Sequence, residues 1–463
     1  MDELAQPSLI EGAISKSEER GFGPVLRNRH FLRLWAAQVS SQTAQNGIHF
    51  VQIITIEELT RSSGQIGIMI LAFSLPAVLF SAIAGIVVDR FSNKLIMVTS
   101  NFCRILTAIG YIVSLHTLQG KTLLVAIYAL TFVASAIGQF FSPAEVATIP
   151  LLLGRERLLA ANSLFNFTFI SSQVVGLILL FPLTVKLGNR FGENRGIDFS
   201  FGLVAFMYIA ATILVSLLPR DEPGSVKGTE ASALRRAWSE VSEGWSFVRS
   251  HPTLHVAIMQ LTLVATLVMV LVMLAPGFAT RVLQVSAEDA IYIFAPAGAG
   301  MLLGALLVGR FGHNFKRDTI SNTGLLAMSL TLAGLALAGW ASTSKLGLGL
   351  FTRGANLNAS VMVLALFMGI DFALISIPAQ TVVQERAPTE IRGRVIAVQF
   401  MLANLVGIPP MLFIGTLADR LGIPQVSLLV ALGVLAIGCL SLYYSRKMLE
   451  PVRKVETDEL AEV

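Results

Sequence analysis

Twelve apolar stretches recur along this chain, and nothing else in it limits the possible folds so strongly. They fall at 34–56, 65–88, 95–115, 122–144, 160–184 and 199–219, then at 254–276, 289–310, 319–340, 357–381, 394–416 and 425–446. As helices rising about 1.5 Å per residue, they suit about 30 Å of hydrocarbon. Lipid offers no partner for a free backbone N–H or C=O, so a helix is the form such a segment takes. The composition agrees: 54% of residues are hydrophobic, and only 14% are charged against about 25% in soluble domains. We therefore expect an all-α membrane protein with twelve transmembrane helices.

The excess of basic over acidic residues, 34 against 29, reads as membrane orientation, because no basic run is long enough to track a nucleic-acid backbone. With an even number of spans, both termini and the polar interval 220–252 share one side. The tails and that interval carry much of the Lys and Arg, which assigns that side to the cytoplasm and the protein to the inner, or plasma, membrane. The first 30 residues have no signal-peptide-like apolar core, so entry through the first span is expected. Cys103 and Cys439 lie inside apolar runs, which argues against a disulfide framework or a zinc cluster.

The interval 220–252 divides the chain into a cytoplasmic tail (1–30), a six-helix bundle (31–219), a linker, a second six-helix bundle (253–446) and a C-terminal tail (447–463). Within the linker, Ala231–Val248 has the pattern of an amphipathic helix lying on the membrane surface. The halves echo one another. Ala84-Gly85 and Arg90-Phe91 recur as Gly304-Ala305 and Arg310-Phe311, with Gly309 where the first half has Asp89. Ser142-Pro143-Ala144 recurs as Ile377-Pro378-Ala379, and Gln173 with Gly176 as Asn404 with Gly407. Such offsets predict two pseudo-symmetric bundles.

Polar groups inside spans are the candidates for function, since each is costly in lipid. Gln38, Gln42, Gln45, His49 and Gln52 recur at spacings of four, three, four and three, so one face of the first span carries them all. That face reads as the wall of a substrate cavity, with interhelical hydrogen bonding as the simpler alternative. Asn162, Asn166 and Asp371 join it as cavity candidates. Asp371, His49 and Glu145 are candidates for coupling transport to protons. Glu145 also reads as a structural partner of Arg155 or Arg157, Arg104 as a snorkelling or paired side chain, and Glu57 and Glu58 as solvated groups closing the first span.

Other patterns carry no chemistry. Gly120-Lys121-Thr122 lacks the upstream glycine of a phosphate loop, where Leu115 stands. Gly298, Gly300 and Gly304 lie in an apolar helix with no preceding strand and read as close helix packing. No cofactor or metal site is expected, and no nucleophile–base set suggests an enzyme.

Between the second and third spans, Gly85, then Asp89-Arg90 and Lys94 resemble the loop signature of the major facilitator superfamily; Ser92 and Asn93 depart from its glycine and basic positions. Phe141-Ser142-Pro143-Ala144-Glu145 with Leu158 to Asn162 is similar to the fourth-to-fifth helix passage of the drug:proton antiporter-3 branch. That branch includes macrolide and siderophore exporters, and lysophospholipid transporters have a similar passage. Gln384 to Pro388 and Arg392-Gly393-Arg394 resemble its loop before the eleventh helix. Two positions depart: Ala44-Gln45 replaces the branch's Gly-Asp, and Leu177 follows Gly176 where it has proline. The resemblance implies a secondary transporter exporting a small amphipathic organic molecule by alternating access, with protons as a candidate coupling ion. A lysophospholipid flippase and a transport-dead sensor or assembly factor are the alternatives. It also implies a gate in which Asp89 docks against the start of the eleventh helix near Arg392 and Arg394; in the same motif Gly85, lacking a side chain, should let a neighbouring helix approach closely, and Arg90 and Lys94 place positive charge on the cytoplasmic side.

Overall fold

The computed structural model describes residues 22–153, 157–192, 195–221, 239, 242–343, 355–388 and 391–461. Helices dominate, and there is no strand among the described residues. A short α1 (Phe22–Arg27) leads into α2 (Arg29–Thr60), α3 (Ser63–Arg90), α4 (Asn93–Thr117) and α5 (Gly120–Leu152). Then α6 (Leu158–Gln173) passes through a π-helical stretch, Val174–Leu180, into α7 (Phe181–Gly188), and α8 (Arg195–Ser216) follows. After it come α9 (Pro252–Phe278), α10 (Ile291–Phe311), α11 (Arg317–Thr343), α12 (Ala355–Arg386), α13 (Arg392–Leu421) and α14 (Ile423–Ala461).

Counting α6 to α7 as one rod, ten of these helices are long and apolar enough to cross a membrane. The other two long ones are α2, of 32 residues, and α10, of 21. The glutamine-rich face of α2 lowers its hydropathy without shortening it. Large apolar side chains such as Leu306, Leu330 and Phe413 stand exposed, as expected of surfaces that meet lipid. Of the expected surface helix, residues 239 and 242–248 are helical; 231–238, 240 and 241 lie outside the described residues.

The chain clusters into two compact units: Met1–Thr55 with Ala72–Leu234, and Ile56–Leu71 with Arg235–Val463. In the first, α4 packs against both α5 and α8. Tyr111 of α4 stacks on Phe201 of α8, ring centroids 4.9 Å apart. In the second, α12 packs against α10 and α11, and α9 against α12 and α13. A side chain at Gly300 of α10 would collide with the Leu366 carbonyl of α12, and one at Gly304 with Ala373 and the Ile370 carbonyl, so these two glycines serve close helix packing, as the sequence suggests. The second unit also takes in the end of α2 and the start of α3, Ile56–Leu71, although both helices run on into the first.

Candidate functional site

A cavity of about 220 Å³ lies in the first unit. Gln38, Ser41, Gln42 and Gln45 line it from α2, Arg104 from α4, Gln139, Phe141, Ser142 and Glu145 from α5, and Phe169 from α6. Thus α2 presents its polar face to α4 and α5, which answer with a cation, a carboxylate and an amide. Arg104 is only 3% exposed, and its Nη2 donates to Gln45 Oε1 at 3.2 Å. Its guanidinium stands 5.0 Å from the ring centre of Phe141 and 5.5 Å from that of Tyr208. These contacts stabilise a buried cation through ring quadrupoles and a hydrogen bond. Glu145 is 6% exposed, and its Oε1 has no hydrogen-bond partner.

The polar face of α2 divides along its length. Gln38, Gln42 and Gln45 line the cavity, whereas His49 and Gln52 are not among its walls. Gln52 instead donates to Tyr111 Oη at 2.6 Å, and that hydroxyl meets Thr131 Oγ1 at 3.0 Å, joining α2, α4 and α5. The His49 ring packs edge-on against Phe73, centroids 4.1 Å apart, and its Nε2 has no hydrogen-bond partner. A common azimuth put all five on one face, but they are spread over about 21 Å of helix, and only the first three meet the cavity.

Asn162 is exposed and lies off the cavity, and the side chain of Asn166 lies outside the described residues. Asp371 is 3% exposed in the second unit, where it accepts a hydrogen bond from Thr331 Oγ1 at 2.8 Å across α11 and α12. A separate cavity of about 110 Å³ in that unit has apolar walls, including Leu267, Met301, Met328 and Phe372.

Of the two readings open for Arg104, the paired one holds: it is buried at the cavity wall and bonds Gln45 rather than snorkelling. One reading needs correction. Glu57 is not solvated. It is 1% exposed, accepts from Thr280 Oγ1 at 2.7 Å and lies 3.6 Å from Arg281 Nη2. Arg155 lies outside the described residues.

Around the signature loop, Asp89 and Arg90 are exposed, and Gly85 has open space where a Cβ would stand, so the close helix approach expected there is absent. Lys94 Nζ donates to the Leu218 carbonyl at 2.5 Å. Asp221, a residue the sequence reading passed over, accepts from Ser92 Oγ at 2.5 Å and from the N–H groups of Asn93 at 2.6 Å and Lys94 at 3.3 Å. It thereby caps α4, whose first N–H groups have no partner inside the helix. Arg392 Nε reaches the Ala387 carbonyl at 3.3 Å, and Arg394 pairs with Glu243 at 2.6 Å.

A second acidic site went unread. Asp419, near the end of α13, accepts from Ser62 Oγ at 2.6 Å and from the backbone N–H groups of Ser63 at 2.8 Å and Gly64 at 2.9 Å. The signal was present: Gly415, then Asp419-Arg420 and Gly422 repeat the spacing of Gly85 with Asp89-Arg90. Comparing the halves in the same direction misses it, because the repeat relates the second helix to the eleventh.

A polar cavity among helices long enough to cross a membrane marks a multi-pass membrane protein. The chain belongs to the Major Facilitator Superfamily, which it matches over residues 34–409, and is a transporter. It is 26% identical over 426 residues to the uncharacterized MFS-type transporter YfiS of Bacillus subtilis (strain 168), covering 90% of this chain and 92% of that one. It is 23% identical over 401 residues to macrolide efflux protein A of Streptococcus pyogenes, covering 85% and 90%. Its fold is similar to the crystal structure of a bacterial homolog of the human lysosomal transporter Spinster, with a TM-score of 0.69, 15% identity, and coverage of 92% and 98%.

Proposed function

We propose that the protein exports a partly apolar organic molecule across the inner membrane by alternating access. In this reading the 31–219 and 253–446 bundles move about the 220–252 linker, with both termini cytoplasmic. The observation that carries the proposal is the cavity in which Gln42, Gln45, Gln139 and Ser142 face Phe141 and Phe169. Amides and a hydroxyl fix orientation, while aromatic faces take up apolar surface, a combination that suits an amphipathic ligand. Similarity to a macrolide efflux protein supports export as the direction.

Glu145 is the proton carrier in this reading. It lines the cavity with an oxygen left without a hydrogen-bond partner, while Asp371 already holds Thr331 and His49 packs on Phe73. The purified protein should first be screened by thermal shift against macrolides, other amphipathic drugs and lysophospholipids. Hits are then tested for flux in proteoliposomes with and without a pH gradient. Gradient-driven flux of a drug-like molecule that falls in Gln42→Ala/Gln45→Ala supports the proposal. Flux of lysophospholipids alone points to a flippase, and binding without flux points to a sensor.

A further inference from the structure

We infer that the groove between α7 and α8 is a binding site for a phospholipid carrying a phosphoethanolamine headgroup, separate from the transport cavity. In the topology proposed above, the turn between these helices faces outward, so the lipid comes from the outer leaflet.

Two facing stripes of side chains make the groove, which encloses about 740 Å³. That volume falls within the roughly 300–1,000 Å³ typical of small-ligand sites. Along α8, Arg195, Asp198, Phe199, Gly202, Leu203 and Phe206 follow at helical spacing and share one face. Along α7, Leu187, Gly188 and the following Phe191 answer them. The two helices meet at their backbones, since a Cβ on Gly188 would stand 2.5 Å from Gly196 Cα. Gly202 has open space where a side chain would be, which leaves that stretch of the groove clear. Phe191 is 71% exposed and Phe206 65%, so both rings offer apolar surface for a hydrocarbon chain to cover.

Length and charge select the occupant. From Arg195 to Phe206 the stripe rises about 16 Å. Half of a hydrocarbon core about 30 Å thick is nearly the same, so a chain lying along the stripe crosses one leaflet. Its polar end then falls at the turn, where Arg195 is exposed. Three residues on, Asp198 turns Oδ2 to His116 Nε2 of α4 at 3.3 Å rather than to Arg195. A cation and a carboxylate thus line the mouth about 5–6 Å apart without pairing. A phosphate can accept from the Arg195 guanidinium while an ammonium donates to the second oxygen of Asp198. A zwitterionic headgroup satisfies both groups, whereas a purely anionic one would set its charge against Asp198.

The test uses the full-length protein in detergent, stripped of lipid and offered one lipid at a time, with retained lipid counted by native mass spectrometry. Dioleoylphosphatidylethanolamine should be retained about tenfold better than dioleoylglycerol, which has the chains without the phosphate. Arg195→Gln should erase that advantage. Asp198→Asn should lower retention of the ethanolamine lipid about fivefold without weakening that of dioleoylphosphatidylglycerol. Gly202→Trp fills the groove and should lower retention of both. Wild-type retention in both Arg195→Gln and Gly202→Trp, each folded and monodisperse, overturns the site, as does equal retention of dioleoylglycerol by the native protein. Retention of dioleoylphosphatidylglycerol at or above that of the ethanolamine lipid overturns the headgroup. No transported substrate enters these measurements, so if the lipid binds as stated while the protein exports nothing, the site stands and the transport proposal falls.

Discussion

Arg104 Nη2 lies 3.2 Å from Gln45 Oε1, joining a buried cation of α4 to the polar face of α2. Gln45 is thus an amide acceptor for the arginine. An amide there fixes the guanidinium without neutralising it, which leaves charge balance in the cavity to Glu145.

Replacing Gln45 by leucine removes that acceptor. The unsatisfied guanidinium N–H should destabilise the protein by about 1–3 kcal/mol. Flux of any bound substrate should fall at least tenfold, while Gln45→Glu should retain stability. Thermal melting in detergent and proteoliposome flux read the two effects, and an unaltered melt in Gln45→Leu contradicts the contact.

Glu145→Gln should abolish gradient-driven flux while leaving exchange without a gradient measurable. Asp371→Asn, whose Thr331 partner can still bond the amide, should keep pH-dependent uphill transport. The reverse pattern moves the coupling role to Asp371, and uphill transport that survives in both variants makes His49→Gln the next to measure.

Tyr111→Phe keeps the ring stacked on Phe201 but cuts the hydroxyl bridge between Gln52 and Thr131. Interhelical hydrogen bonds of this type contribute about 0.6 kcal/mol on average and about 1.7 at most. The melting temperature should drop modestly with the substrate affinity unchanged; a large loss of affinity would place Gln52 in the binding site after all.

Asp221→Ala removes the acceptor that supplements the Ser92 N-cap of α4 and should cost about 1 kcal/mol. Hydrogen exchange should rise first at Asn93 and Lys94, whose N–H groups lose their acceptor. Asp221→Asn should recover most of the protection.

Gly300→Val sets a branched side chain against the Leu366 carbonyl. Overpacking of a close contact costs about 1–3 kcal/mol, more where backbone must move. Low yield or a lowered melting temperature is expected, and wild-type stability would show that α10 and α12 pack differently.

Some of this was fixed by local chemistry and could be read directly. The length of an apolar run sets whether a helix can span hydrocarbon, so the span positions lay open in the sequence. The period of 3.6 residues set Gln38 to Gln52 on one face, and the resemblance of the Gly85 to Lys94 and Phe141 to Glu145 stretches pointed to the superfamily. What the period cannot supply is a partner. Gln45 meets Arg104 and Gln52 meets Tyr111, each from a helix 59 residues away, so two amides of one stripe take different roles. Glu57 looked solvated because it closes the first span; its partners are Thr280 and Arg281, more than two hundred residues on. Sequence fixes which groups are costly to bury and where around a helix they lie. Which of them line a cavity or tie helices together is set by the helix that packs opposite, and only the tertiary structure identifies it.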